Sequence, residues 1–147
     1  MIFLRWDKSL RKRENIFKQK ISFLNFGICN LSVIPLRAEP SDKSEMVSQV
    51  LFGETVEILS KEKQWLRVRT HADDYEGWID EKQIKLISAD DFKYTQQLPN
   101  TCLLDLTTTA FAKNGSVVVL IGSSFPGYEN LKFKLGDEEF QTGGDTI

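Results

Sequence analysis

The chain holds a single histidine, His71, and only two cysteines, Cys29 and Cys102, which stand far apart with no C-x-x-C pair. A tetrahedral metal site needs four closely spaced nitrogen or sulfur ligands, so that class of site is excluded and no cofactor is expected. Cys29 lies in G-I-C-N and Cys102 in T-C-L-L. Each reads as a small apolar side chain in or beside a core, with a disulfide or a reactive thiol as the alternative. Also missing is any apolar run near the roughly 20 residues that a membrane-spanning helix needs. Residues 1–4 and the interrupted stretch 21–28 are shorter or more polar than the core of an export signal, and no A-x-A-like cleavage pattern follows them. A cytoplasmic chain without a membrane span is therefore expected.

What is present is ordinary globular composition: 147 residues, 41% hydrophobic and 27% charged. That is enough chain for one medium domain or two small ones. The formal net charge of -2 conceals an asymmetry. Residues 1–26 carry seven Lys and Arg against Asp7 and Glu14, a balance of +5, which leaves -7 on the remainder. Nucleic-acid binding rests on clustered Lys and Arg that displace counterions, so an acidic body argues against a nucleic-acid partner. The apolar residues Leu4, Leu10, Ile16, Phe17, Ile21 and Leu24 form no clean stripe among those bases. A weak basic helix or an unstructured arm is expected there, either drawn to anionic surfaces or simply solvated.

From residue 27 the pattern turns to short β-type runs separated by turn residues. Residues 28–36 are β-branched and aliphatic, and 38–45, with Pro40, Ser41 and Asp42, read as a loop. Residues 46–51 read as extended and 52–54 as a turn. Residues 55–59 and 65–70 alternate, placing Val56 and Ile58 on one face and setting Leu66 and Val68 against Trp65, Arg67 and Arg69. A polar loop is expected over 60–64, a turn over 72–74, and further strands over 75–79 and 83–87. Short runs of this kind with no intervening helix predict a small antiparallel barrel of five strands.

Ser88 with Asp91 three residues on is a capping-box pattern for a short helix that stops before Pro99. Beyond it, 101–111 again read as β, Asn114-Gly115 is a hairpin turn before the apolar run 117–121, and 122–130 read as a loop. Leu131, Phe133 and Leu135 alternate with Lys132 and Lys134 before the turn at Gly136-Asp137. Residues 142–147 are turn-like and supply no closing strand. The expected organisation is all-β: a basic extension (1–26), a first module (27–88), a helical linker (89–98) and a second, incomplete module (99–147).

Residues 27–88 resemble the bacterial SH3-like (SH3b) domain that opens NlpC/P60-type cysteine peptidases acting on cell-wall peptides, the γ-D-glutamyl-L-diamino acid endopeptidases or dipeptidyl-peptidases. The resemblance rests on R-A-E-P at 37–40, F-G-E-T at 52–55, W-L-R-V at 65–68 and Y-E-G-W-I-D at 75–80. Residues 99–140, with G-S-S-F-P-G-Y at 122–128 and F-K-L-G-D at 133–137, are similar to the second SH3-like domain of the same proteins. It therefore implies two tandem SH3-like barrels. In that family a papain-like domain with a D-C-S-G nucleophile segment follows, and neither cysteine here has that context. His71 has no position from which to act as base for Cys102. No enzymatic activity is expected of the chain itself.

For the part present, the family implies substrate reading. An acidic residue and a tyrosine of the first SH3-like domain help bind the free amine of the substrate's L-alanine, and Glu39 and Tyr75 occupy the matching positions. Read from the residues alone, Glu39 is a solvated loop carboxylate. Arg37 reads as a loop brace or ion-pair partner, Trp78 as packing, and Trp65 as either core or an exposed platform; all three are candidates for the rim. Asp137-Glu138-Glu139 read as a wet charged face or as an attractor of an amine or metal. The resulting expectation is a non-catalytic, substrate-positioning region of a peptidoglycan-peptide cysteine endopeptidase, which takes a muropeptide with a free L-Ala and works with a separate or missing NlpC/P60 peptidase domain. The alternative is a self-standing SH3-like module for cell-wall or protein interaction. Relatives with export signals leave a cell-envelope location open.

Overall fold

A computed structural model of the chain describes residues 12–13 and 25–147. The basic extension expected over 1–26 thus lies almost wholly outside the described residues. The rest is strand-dominated. A seven-stranded antiparallel sheet has the order β3-β2-β6-β5-β4-β1-β7, built from β1 (Phe26–Ile28), β2 (Val33–Arg37), β3 (Met46–Leu51), β4 (Thr55–Glu62), β5 (Trp65–Thr70), β6 (Glu76–Asp80) and β7 (Lys85–Ile87). The alternation noted in the sequence sets its inner face, because Ile58 pairs with Val68 across β4 and β5 and both are buried. Cys29, Ile34, Leu36, Val50, Val56, Leu66, Ile79 and Ile84 complete this first apolar cluster.

Ser88 caps helix α1 (Ala89–Gln97) as the sequence predicts, its Oγ accepting from the Asp91 amide at 3.1 Å. Among the described residues no helix is long and apolar enough to cross a membrane. After α1 come β8 (Asn100–Cys102), β9 (Thr107–Ala112), β10 (Gly115–Leu120), β11 (Ser124–Pro126), β12 (Lys132–Leu135) and β13 (Glu138–Gln141). They form a four-stranded sheet, β10-β9-β13-β12, and a two-stranded ribbon of β11 with β8.

Several elements differ from the sequence expectation, each for a local reason. The first unit has seven strands rather than five: each run from 46–51 to 83–87 forms one, and the run over 28–36 is split into two. Cys29 donates its N–H to the Glu54 carbonyl and accepts from the Gly53 N–H, which ties the chain to the β3–β4 turn before it bends into β2. The polar stretch over 60–64 continues β4 as far as Glu62, beyond a register shift between Ile58 and Ser60, and the turn is confined to Lys63 and Gln64, with Lys63 at φ 54°. The loop over 122–130 contains β11, and the β run over 101–111 breaks at Leu103–Leu106 to leave β8 as its partner. The terminal residues also pair. Cys102 and Ile147 exchange both backbone hydrogen bonds, at 2.8 and 3.1 Å, and Leu103 bridges Thr146.

A second apolar cluster is aromatic. Phe52 stands edge-on to Phe125, Phe133 and Phe140 at centroid distances of 6.3, 5.9 and 5.2 Å. Ile28 and Ile87 join it from β1 and β7, so the C-terminal strands close their core with side chains of the N-terminal sheet. Gly53 makes the approach feasible. It sits at φ 81°, and a Cβ there would stand 1.8 Å from the Ser124 carbonyl oxygen.

Candidate functional site

β2 and β6 meet antiparallel at the pair Arg37 and Trp78. The end of β2 that leads to Glu39 therefore lies beside the start of β6, which Tyr75 immediately precedes. Gly77 permits this seam: a Cβ there would come within 2.5 Å of Leu36 Cγ and 2.9 Å of the Arg37 carbonyl oxygen. Any larger residue would push the two strands apart.

The loop after β2 is held by its own polar groups. Ala38 donates its N–H to the Glu45 carbonyl (2.9 Å), Glu39 donates its N–H to Ser44 Oγ (2.8 Å), and the Glu39 carbonyl accepts from the Ser41 N–H (2.8 Å). Arg37 Nη1 donates to the Ser44 carbonyl at 3.2 Å, so Arg37 braces this loop. Pro40 further confines the residue before it to extended conformations. With its backbone fixed, Glu39 leaves its carboxylate exposed, and among the described residues that carboxylate makes no hydrogen bond or ion pair.

Tyr75 is anchored at its backbone too. Its N–H donates to Thr70 Oγ1 at 2.9 Å, and its carbonyl accepts from the Thr70 N–H at 2.9 Å, closing the turn in which Asp74 takes φ 56°. Its side chain is 44% exposed. Of the other candidates, Trp78 is half-buried, flanked in register by Arg37 and Arg67, whereas Trp65 is only 6% exposed and offers a ligand little surface. The structure thus pairs Arg37 with Trp78, sets the Glu39 loop and Tyr75 at the adjoining ends of their two strands, and buries Trp65.

An ion-pair ladder that the sequence did not single out runs beside this seam. Arg67 Nη2 and Arg69 Nη2 donate to the two carboxylate oxygens of Glu76 at 2.8 and 2.9 Å, and Arg69 Nη1 reaches Glu57 at 3.4 Å. The Arg69 hydrogen bond, followed by Arg67, holds the Glu76 carboxyl below its usual range. These cross-strand neighbours only become visible once the β4–β5–β6 register is known. In the acidic triplet, Asp137 pairs with Lys85 of β7, which lowers its carboxyl pKa and links the two sheets. Cys29 is fully buried, and burial pushes its thiol up to about 12, so it is neutral and inert at ordinary pH.

Residues 36–84 match the family model described as the bacterial dipeptidyl-peptidase SH3 domain. That span runs from Leu36 through the Glu39 loop, the β4–β5 hairpin, Tyr75 and β6 to Ile84. Two solved structures are similar over most of the chain. An NlpC/P60 family protein from Bacillus cereus superposes with a TM-score of 0.63 at 15% identity, covering 83% of this chain and 55% of that one. An NlpC/P60 endopeptidase from Photobacterium damselae subsp. piscicida gives a TM-score of 0.59 at 13% identity, covering 80% of this chain and 31% of that one. The chain thus spans about half the length of the first and a third of the second. At such identities the likeness establishes the fold, an all-β SH3-like architecture. No curated protein sequence matches the chain.

Proposed function

We propose, starting from the match of residues 36–84 to a dipeptidyl-peptidase SH3 domain, that this chain positions substrate for a cysteine endopeptidase acting on cell-wall peptides. Two SH3-like modules, 27–88 and 99–147, flank the helical segment 89–98. The ligand is a muropeptide fragment with a free N-terminal L-Ala. Its ammonium group donates to the Glu39 carboxylate, and the Tyr75 hydroxyl supplies a second contact. A charge-assisted hydrogen bond of this kind contributes about 1.5–3 kcal/mol.

The observation that carries this reading is a carboxylate left without a partner among the described residues on a loop whose backbone is immobilised by Ser41, Ser44 and Arg37. A fixed loop loses little conformational freedom on binding, so more of the contact energy appears as affinity. Arg37 is a positioning residue here, and Trp78 forms the wall beside the amine. The hydrolytic step is assigned to an NlpC/P60 peptidase domain outside these residues, since the Cys29 thiol is buried and protonated. A cleft shared with such a domain is only partly supplied by these residues, so binding by them alone is expected to be weak. Titrating the 15N-labelled protein with an L-Ala-γ-D-Glu peptide tests the proposal. The backbone amides of Glu39 and Tyr75 are expected to shift saturably, and stillness at both would overturn it.

A further inference from the structure

A cleft of about 150 Å³ opens on another part of the molecule, where the β3–β4 turn, the turn after β5, the end of α1 and β11 converge. Glu54, Thr55, His71, Gln96, Asn100 and Ser124 contribute to its walls. Those walls are held in place. Gln96 Nε2 donates to Thr55 Oγ1 at 3.0 Å, the His71 N–H donates to the Thr55 carbonyl at 3.0 Å, and the Ser124 N–H donates to the Phe52 carbonyl at 2.9 Å. Gly53 lies hard against the Ser124 carbonyl behind them.

Glu54 is the unexplained group. It is partly buried, and one carboxylate oxygen, Oε2, accepts from the Leu51 N–H at 2.7 Å. Among the described residues no cation pairs with it. The charge that acts on it is Asp73, also negative, and burial with that repulsion raises its carboxyl pKa. A desolvated carboxylate is costly without a counter-charge, and here the cleft is where a counter-charge can enter. The residues around that space carry acceptor groups: Glu54 has a second carboxylate oxygen, Gln96 and Asn100 have amide oxygens, and Thr55 has a hydroxyl. A divalent metal is a poor fit, because among the described residues no three His, Cys, Asp or Glu gather to hold one. A compact head with several N–H donors suits the acceptors, and the volume is that of a ligand of roughly benzene size.

We propose that this junction cleft binds a small primary amine, with Glu54 as the partner of its ammonium group. This site is independent of the one at Glu39 and Tyr75 and does not rest on that assignment. The test is an amide-resolved NMR titration of the whole chain with L-alaninamide, compared with N-acetyl-L-alaninamide, which has the same body without the charge. Saturable shifts are expected at Gly53, Glu54, His71 and Asn100 with the free amine, and at least tenfold weaker binding with the acetylated compound. Glu54→Gln keeps an oxygen for the Leu51 N–H, and it too is expected to weaken the amine at least tenfold. Amides at the cleft that stay still, or that respond equally to both compounds, overturn the proposal. So does an unchanged affinity in the Gln variant. Should that variant fail to fold, the comparison of the two compounds on the unsubstituted protein decides alone. Shifts at Glu39 and Tyr75 in the same spectra report the other site separately.

Discussion

The two apolar clusters are built on different plans. The first is aliphatic and self-contained: Ile34, Leu36, Val50, Val56, Ile58, Leu66, Val68, Ile79 and Ile84 all come from the seven-stranded sheet and the turns within it. The second is aromatic and borrows, since Phe125, Phe133 and Phe140 pack around Phe52, with Ile28 and Ile87 beside them. Dependence therefore runs in one direction. The C-terminal strands need the N-terminal sheet to close their core, whereas that sheet's own cluster takes nothing from the C-terminal strands. Glu39 and Tyr75 lie on the self-sufficient side, so the recognition seam does not need the second cluster to be formed.

The sharpest way to break this comparison is Phe52→Ala. Truncating a fully buried phenylalanine costs about 3–5 kcal/mol. Native-state hydrogen exchange is expected to show loss of protection in β9, β12 and β13 while β5 and β6 stay protected. Equal loss in both sheets would mean that the two cores form one cooperative unit. A smaller effect is expected of Gly53→Ala, which combines a left-handed backbone with a steric collision at the Ser124 carbonyl. It should cost about 1–3 kcal/mol in chemical denaturation, again chiefly from the C-terminal strands.

Smaller still is the pH effect of Glu54. Its carboxyl pKa is raised on folding, so its favourable contribution is complete below the unfolded-state value and is lost as pH rises through the folded one. Glu54→Gln removes that dependence. The Gln variant is expected to be more stable than the unsubstituted protein at neutral pH, with the difference shrinking as pH falls into the carboxylate range. A difference that is constant with pH would mean that Glu54 is not penalised by burial.

Much of the N-terminal architecture was legible because its strands are long enough to show a period. Val56, Ile58, Leu66 and Val68 alternate with polar residues, and all four are buried. The Ser88 cap is a local signal and needed no tertiary information, and the hairpin expected at Asn114-Gly115 forms one residue earlier, turning at Lys113-Asn114 with Gly115 already paired to Ala112. What stayed hidden was set by distant partners. β8 and β11 are three residues each, too short to carry a period, and they exist because they pair with each other. The tail at Thr146 and Ile147 pairs with residues 102–103 for the same kind of reason. Phe52 sits in a turn, where an aromatic residue gives no sign that another sheet will enclose it.

Site residues followed the same division. Glu39 and Tyr75 were singled out by resemblance to a family, while the adjacency of the strand ends that carry them follows from the register of Arg37 with Trp78. Trp65 was open between core and platform, and it is buried. The Glu57, Arg69, Glu76 and Arg67 ladder lies across three strands, and the cleft around Glu54 across four separated segments. Neither leaves a trace in linear spacing.

The dissociation constant of an L-Ala-γ-D-Glu peptide, measured on the unsubstituted chain and on Glu39→Gln, tests the recognition role most directly. Replacing the carboxylate by an amide removes the charge and leaves the exposed loop intact. The seam assignment predicts at least tenfold weaker binding, the equivalent of losing about 1.4 kcal/mol or more. Equal affinity of the two proteins, with both fully folded, would contradict it.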